Sequence, residues 1–415
     1  MAIFEGRRGF LHAPWTDSTR WRQGGAHPTC VAMDRSFPMT RAAGLARLAA
    51  FAPRMGGAYA AGRNTDHGPE REAATAALSP YLRRRLVLEQ EAVDAAHAAH
   101  GPGAERFVQE VFWRSYFKGH LETRPERWTD YQRLAAEGHA KLAANAGLRL
   151  AYEQAVDGRT GIDGFDDWAR ELTDTNWLHN HARMWFASIW IFTLRLPWAL
   201  GADHFMRHLL DGDPASNTLS WRWVAGLHTR GKPYAARAEN IRRYTEGRYD
   251  PAVLNEEPAA LEEPDPPPAR PLPPGDAPPE RDVALLLHLD DLHPESLPLG
   301  RARVAKVGGL LAHAEGAAPR VKQADRDAMA DALVRAAAHF GCPAGPAERG
   351  WDAGLPVVTA WAPVGPSADA LPPGTLRVRR RWDDAAWPRA ARGYFQMKAA
   401  IPAILQAAGT DGPVR

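Results

Sequence analysis

The sequence predicts a mainly α-helical protein that ends in a small α/β domain, and three observations carry that expectation. From Pro38 to about Tyr249, apolar residues recur at three- and four-residue spacing with little strand-like alternation. Residues 256–280 read E-E-P-A-A-L-E-E-P-D-P-P-P-A-R-P-L-P-P-G-D-A-P-P-E, too rich in proline for helix or central strand and suited to a semi-rigid extended linker. Beyond it, compact apolar runs alternate with amphipathic helical patterns. The expected organisation is a helical domain over 1–255, a linker over 256–280 and an α/β domain of open role over 281–415. At 415 residues the chain is too long for one core, since single cores stop growing at roughly 250–300 residues.

In the first part the spacing predicts helices over Arg41–Ala52, Pro80–His97, Glu105–Glu122, Gly164–Thr173 and Asn180–Leu194. In the second, Val283–Leu289, Leu355–Ala362 and Leu376–Arg381 read as strands, Asp325–Phe340 as an amphipathic helix and Ala390–Leu405 as a closing helix. Hydrophobic residues make up 45% and charged residues 24%, and no apolar run approaches the roughly 20 residues that span a bilayer, so no membrane association is expected. Met1–Pro14 lacks the apolar centre of a signal peptide, and Cys30 and Cys342 are the only cysteines. These features point to a cytoplasmic protein without a disulfide framework.

The net charge of +2 carries no whole-chain signature of strong nucleic-acid binding. Arg83, Arg84 and Arg85 form the local candidate for a basic face, set against an ordinary solvated helix surface. Fifteen tryptophans are unusual, and suit either a bulky core or the stacking of flat ligands and passage of electrons. No glycine-rich phosphate loop, Cys-x-x-Cys or His-Glu-x-x-His occurs. Asp211 and Asp213 lack a third ligand at metal spacing, and His204 and His208 read as a polar helix face, so no metal is expected.

Three constellations carry chemistry. Glu110, Trp113, Arg114 and Phe117 share one helical face, either as a functional cluster or as a surface ion pair beside a half-buried indole. Asn180, Arg183, Met184 and Ala187 share another, introduced by Trp177 and His179; the alternative there is an N-cap at Asn180 and a solvent-facing Arg183. The third is D-G-D-P-A-S-N-T-L-S-W-R-W, which holds Asp211, Asp213, Asn217, Trp221 and Trp223.

In order and separation these stretches resemble the FAD-binding domain of the photolyase/cryptochrome family. The likeness begins near Phe37-Pro38, includes T-A-A-L-S-P-Y-L from Thr75, E-V-F-W-R at Glu110–Arg114, G-R-T-G-x-x-x-x-D at Gly158–Asp166 and W-L-H-N-H-A-R-M at Trp177–Met184, and covers about half the chain. It implies an all-helical photolyase-type domain that binds FAD. By resemblance, the turn Thr75, Ala76, Ala77, Leu78 and Ser79, with Tyr59 and Arg114, faces the FAD phosphates. Asn180 joins the cofactor contacts, Arg183 and Asp211 form the ion pair beside the isoalloxazine, Asp213 approaches the ring edge and Asn217 lies next to N5. Glu110, Trp113, Asn180, His181, Met184 and Trp223 match positions that contact a flipped pyrimidine dimer in DNA.

Trp221 and Trp198 resemble the first two members of the chain of indoles that photoreduces the flavin. No tryptophan stands at the third place, and Trp185 or Trp190 offers another route. Ala76 replaces the family's serine, His181 replaces an arginine, and G-K-P-Y-A-A-R-A-E-N-I follows Trp223 in place of the usual P-Y-F-R-I-F-N-P. The family's N-terminal antenna domain is expected to be absent, and no second chromophore is expected. The implied function is light-dependent repair of cyclobutane pyrimidine dimers by electron transfer from excited reduced FAD. A cryptochrome-like blue-light photoreceptor is the alternative, and a flavin-binding protein without light chemistry a third.

Overall fold

The computed structural model describes residues 37–409 apart from 70, 72, 73 and 265–267. The segment before Phe37, with Cys30 and the expectations drawn for it, lies outside the described residues. The helical part runs through α1 (Arg41–Phe51), α2 (Gly57–Gly62), α3 (Ser79–Arg83), α4 (Glu89–His100), α5 (Glu105–Glu122) and α6 (Glu126–Ala144). It continues with α7 (Ala146–Val156), α8 (Phe165–Thr175), α9 (Asn180–Ser188), α10 (Trp198–His208), α11 (Pro214–Val224) and α12 (Ala238–Tyr244). Their starts are written in the sequence: the Thr40 hydroxyl accepts from the Ala43 amide, Asn145 from Leu148, and Asp213 from Ser216 with Pro214 at the first helical position. In α8 the buried residues Phe165, Trp168, Ala169 and Leu172 fall at i, i+3, i+4 and i+7.

Two expected helices differ. Pro80–His97 is split, because α3 stops at Arg83 and Arg85 takes a left-handed φ of 51° before α4 begins. The break turns Arg84 and Arg85 towards carboxylates elsewhere in the fold. Asn180–Leu194 is α-helical only to Ser188 and widens to a π-turn over Ile189–Thr193, and Trp190 there donates to the Pro197 carbonyl.

The α/β domain comprises β1 (Asp282–His288), β2 (Arg303–Leu310), α13 (Pro319–Phe340), β3 (Ala344–Pro346), β4 (Val357–Ala360), α14 (Pro366–Asp369), β5 (Leu376–Val378), α15 (Arg381–Ala390), α16 (Tyr394–Ala399) and α17 (Ile401–Ala408). The five strands are parallel in the order β3-β2-β1-β4-β5, so the chain reverses its winding between β1 and β4. Val283–His288 is buried throughout, as a central parallel strand covered on both faces must be. Sequence reading did not anticipate β2 and β3, and the closing helix expected over Ala390–Leu405 is two shorter ones, α16 and α17.

One apolar cluster joins α1, α4 and the first half of α5 to the α/β sheet and its helices; a second fills the space among α6 to α12. The seam of the first is close-packed. Phe112 lies 5.0 Å from Trp382, whose indole N–H donates to Ser115, and the Glu122 carboxylate accepts from the Trp361 indole and the Val364 amide. A Cβ on Gly119 would stand 2.7 Å from the Trp387 Cα, so only glycine lets α15 approach there. The proline-rich linker is laid along the helices as a strap: Leu261 donates to Ala225 and Arg270 to Thr123.

Arg83, Arg84 and Arg85 form no basic face. All three are buried and span the two halves of the fold. Arg83 reaches Asp290 at 2.7 Å, Arg84 holds Asp325 at 2.5 Å, and Arg85 meets Asp383 at 2.6 Å, Glu89 at 3.1 Å and Asp291 at 3.2 Å. Removing one member of such a group strands a buried charge, so Arg85→Met should cost about 3–5 kcal/mol in urea unfolding. Arg303→Met, at an exposed pair with Asp282, should leave the same transition unchanged.

Candidate functional site

Five pieces of the helical part meet at Asp211 and Asp213. From α9, Arg183 grips Asp211 with both terminal nitrogens at 3.0 Å while its Nε donates to the Leu178 carbonyl. From the start of α3, the Ser79 hydroxyl adds a hydrogen bond to Asp211. Burial works against ionisation of Asp211, but Arg183, Ser79 and Arg114 outweigh it and hold the carboxyl below its ordinary range. Asp213 caps α11 and is also buried. There Lys118, Arg114 and Arg83 outweigh desolvation and, with the Ser216 amide, bring its carboxyl down to about 2. One turn into α11, the Asn217 amide donates to the Ala202 carbonyl at 2.8 Å.

Around these acids the donors exceed the acceptors. Thr75 Oγ1, Arg114 Nη1, Lys118 Nζ and Ser216 Oγ are buried without a hydrogen-bond partner. Each such atom costs about 1–3 kcal/mol if nothing meets it. The turn before α3 is also strained, with Ala77 at a left-handed φ of 47°. A polyanionic, acceptor-rich ligand suits this set of residues, and the orphaned donors are what such a ligand would satisfy.

Residues 107–253 match the family described as the FAD binding domain of DNA photolyase. Over that stretch the helical part of the chain is similar to a photolyase-type FAD-binding domain. The deoxyribodipyrimidine photo-lyase of Streptomyces griseus is 34% identical over 204 residues, covering 46% of this chain and 42% of that protein. The one of Escherichia coli K12 is 29% identical over 205 residues, covering 48% and 42%. The chain therefore spans less than half the length of these curated relatives. Among solved structures, a bacterial class III photolyase from Agrobacterium tumefaciens is similar over 50% of this chain and 43% of that one, at 26% identity and a TM-score of 0.40.

Within the helical part, the residues expected at the cofactor fall into two groups. Ser79, Arg114, Arg183, Asp211, Asp213 and Asn217 converge as described, with Thr75, Ala76, Ala77 and Leu78 in the turn that leads into α3. That helix is only five residues long, so its dipole is weaker than the expected long helix would have supplied. Tyr59 is buried between Phe51 and Phe107. Asn180 is exposed in the first turn of α9 and does not cap it; the cap is His179, whose ring nitrogen accepts from the His181 amide. Lys118 was not foreseen, although its i+4 spacing from Arg114 on α5 is the signal that marks it.

Apart from the exposed Asn180, the residues expected at a lesion are engaged within the protein. Glu110 pairs with Arg63 at 2.6 Å, and burial pushes its carboxyl up against the pull of Arg63 and Arg106. Trp113 lies flat on Tyr394 of α16, with centroids 3.4 Å apart and planes within 7°. Trp223 stacks on Tyr234 at 5.3 Å and 29°. His181 packs against Trp185 and Tyr244, and Met184 is half-buried.

Trp221 is buried beside Phe205 at 5.1 Å and Trp190 at 6.2 Å, and Tyr152 stands edge-on to Trp190 at 5.8 Å. Trp185 instead stacks on Trp168. Trp198 neighbours Tyr131, with the Arg222 guanidinium 5.8 Å from its ring.

The depressed carboxyl of Asp213 sets a pH dependence. Its stabilising contribution is complete above the ordinary value of 3.8 and is lost as pH falls through about 2. Asp213→Asn should therefore lower stability at pH 7 by about 2 kcal/mol, with the gap from the unsubstituted protein narrowing between pH 4 and 2. Urea unfolding across that range checks it; a gap that does not change with pH would show that Asp213 contributes packing alone.

Proposed function

We propose that this chain is a light-dependent flavoprotein of photolyase type that acts on cyclobutane pyrimidine dimers in DNA. The observation that carries the reading is the meeting of the Arg183–Asp211 pair, Asp213 and the unpartnered donors in the domain that also carries Glu110, Trp113, Met184 and Trp223. Bound there, FAD supplies light absorption and single-electron exchange. The Thr75–Ser79 turn, Arg114 and Lys118 would hold its phosphates, and Arg183, Asp211, Asp213 and Asn217 its ring. An amide at Asn217 offers hydrogen bonding to the ring without adding charge. Trp221 is the buried indole that relays electrons inward, and Trp190 and Tyr152 extend the aromatic line.

On the DNA side, Glu110 presents a carboxyl to the edge of an extruded base, while Trp113 and Trp223 offer flat faces. A damaged pair is already weakly stacked, which lowers the cost of extrusion. The tyrosine covers do not prevent this energetically. An aromatic pair is worth roughly 0.5–1.5 kcal/mol beyond its buried area, against roughly 1–3 kcal/mol for a base stacked on an aromatic side chain. Tyr394 and Tyr234 are therefore exchangeable covers at near-balanced energy.

The same covers favour the second reading, a photoreceptor without repair. With Trp113, Trp223 and Glu110 all satisfied inside the chain, the aromatic faces serve the fold, and flavin reduction would act on partner surfaces.

Purified protein should hold FAD at one per chain, and Arg183→Ala should lose it; a colourless protein that cannot be reconstituted ends both readings. In blue light with a thiol, Trp221→Phe and Trp190→Phe should slow flavin reduction strongly while Trp185→Phe does not. Equal rates in all three would point to a different donor. Tyr394→Ala should keep FAD and bind ultraviolet-irradiated DNA more tightly, whereas Trp223→Ala should keep FAD and repair less. If neither wild type nor Tyr394→Ala, carrying reduced FAD, prefers irradiated DNA or restores dimers under blue light, repair is excluded and the photoreceptor reading stands.

A further inference from the structure

Among the described residues one aromatic side chain is exposed: Phe395, the second residue of α16, with 84% of its surface open to solvent. Single apolar residues on a surface are ordinary. The place and the mounting of this one are not. Its neighbour Tyr394 lies flat on Trp113, and burial, with the nearby Glu110 carboxylate, raises the Tyr394 phenol above its ordinary value. Helix α16 therefore forms the rim of the pocket proposed above for an extruded base.

Gly393, at a φ of 98° that glycine adopts freely, turns the chain out of α15. From there the Tyr394 hydroxyl donates to the Gln109 carbonyl at 2.9 Å, Met397 is buried, and Lys398 stands 3.6 Å from Glu105. These contacts hold the inner face of α16 to α5. Phe395 is thereby carried outward on fixed backbone, its ring 6.3 Å from that of Tyr394 and tilted 64° to it.

Extruding a base from a duplex leaves a gap in the stack and an unpaired partner base. Proteins that kink or open DNA insert an apolar side chain, Phe among them, at such a step. A wedge of this kind has to be exposed before binding, held on firm backbone and placed beside the point of extrusion. Phe395 meets all three conditions. A flat ring stacks on any base, so the contact requires no particular sequence. Arg392, three residues before it, is exposed and supplies a cation for a flanking phosphate. The exposed residues beside the ring on α16, Gln396 and Ala399, are polar or small, which suits insertion of one ring better than an apolar protein interface.

We propose that α16 is part of a DNA-contact surface in which Phe395 is the wedge that enters the gap left by an extruded base. The proposal rests on the repair reading, and adds to it an element beyond the family match over 107–253. The pocket takes the extruded base while Phe395 supports the opened duplex behind it. Affinity for a damaged duplex therefore depends on the ring. Affinity for a damaged single strand, which has no gap to fill, does not.

Fluorescence-anisotropy titrations of the full chain in the dark test it, with a labelled duplex carrying one cyclobutane pyrimidine dimer, an intact duplex, and the dimer strand alone. Phe395→Ser should weaken binding to the dimer duplex about fivefold to a hundredfold, the range of one base stacked on an aromatic side chain. Binding to the dimer strand alone, flavin content and the urea transition should not move, because the ring is exposed. Phe395→Trp should keep the duplex affinity. Arg392→Gln should weaken duplex and single strand alike and lower the salt slope by about one. An equal loss on duplex and single strand in Phe395→Ser overturns the wedge and leaves the repair reading standing. So does an unchanged duplex affinity in a chain that still prefers the dimer duplex to the intact one. If neither wild type nor Tyr394→Ala prefers the dimer duplex, the repair reading itself fails and the wedge falls with it.

Discussion

The buried arginines Arg83, Arg84 and Arg85 are the interaction on which the candidate site depends. Each holds a carboxylate of the α/β domain, and two of them also hold the strand of chain that carries the site's acids. Arg83 donates to the Gly212 carbonyl at 2.8 Å while pairing with Asp290, and Arg84 donates to the Leu210 carbonyl at 2.5 Å while holding Asp325. The segment from Leu210 to Asp213 is thus fixed from below by side chains anchored in the other domain. Buried ion pairs are weak contributors to net stability, because desolvation offsets much of the Coulomb gain. Their effect here is positional, since an unsatisfied guanidinium in that place is far costlier than the paired one and only one arrangement satisfies all three.

Helix α5 carries the second constraint. Its one face meets the α/β domain so closely that Gly119 has no room for a Cβ, with Ser115 and Glu122 holding the two indoles of Trp382 and Trp361. Its other face supplies Arg114 and Lys118 to Asp213. A helix packed on both sides cannot rotate or slide without breaking one set of contacts. The α/β domain therefore acts on the helical part as a rigid backing, even though the family match ends before the linker.

What could be read from the sequence was what local patterning controls. Arg41–Phe51 and Glu105–Glu122 carry strong periodicity and appear with the expected bounds or within one residue of them. The convergence of Arg183, Asp211 and Asp213 was legible through resemblance. The break after Arg83 was not, because its cause lies in partners 241 and 298 residues further along the chain. Nor was β2: its apolar run is interrupted by Lys306, Gly308 and Gly309, and those glycines are explained only by Trp351 and Met329, which press within 2.7 Å of where a Cβ would stand. The cover of Trp113 by Tyr394 likewise joins residues far apart in sequence and leaves no local signature.

These distant contacts also decide how the two functional readings differ physically. The pocket residues Glu110, Trp113 and Trp223 are each half-exposed and each satisfied by a neighbour from another element: Arg63, Tyr394 and Tyr234. Tyr394 belongs to the C-terminal helices, and its hydroxyl donates to the Gln109 carbonyl on α5, so lifting it from Trp113 costs a hydrogen bond as well as a stack. A net hydrogen bond is worth about 0.5–1.5 kcal/mol, which brings the full cost of uncovering Trp113 to the same size as the gain from one stacked base. Occupancy of that face is thus set by a difference of about a kilocalorie, within reach of a single substitution or a change at the α5–α16 contact. Retained lesion-contact residues and a closed pocket are therefore compatible in one protein: the residue types equip it to take a base, and the tyrosine covers set how readily it does.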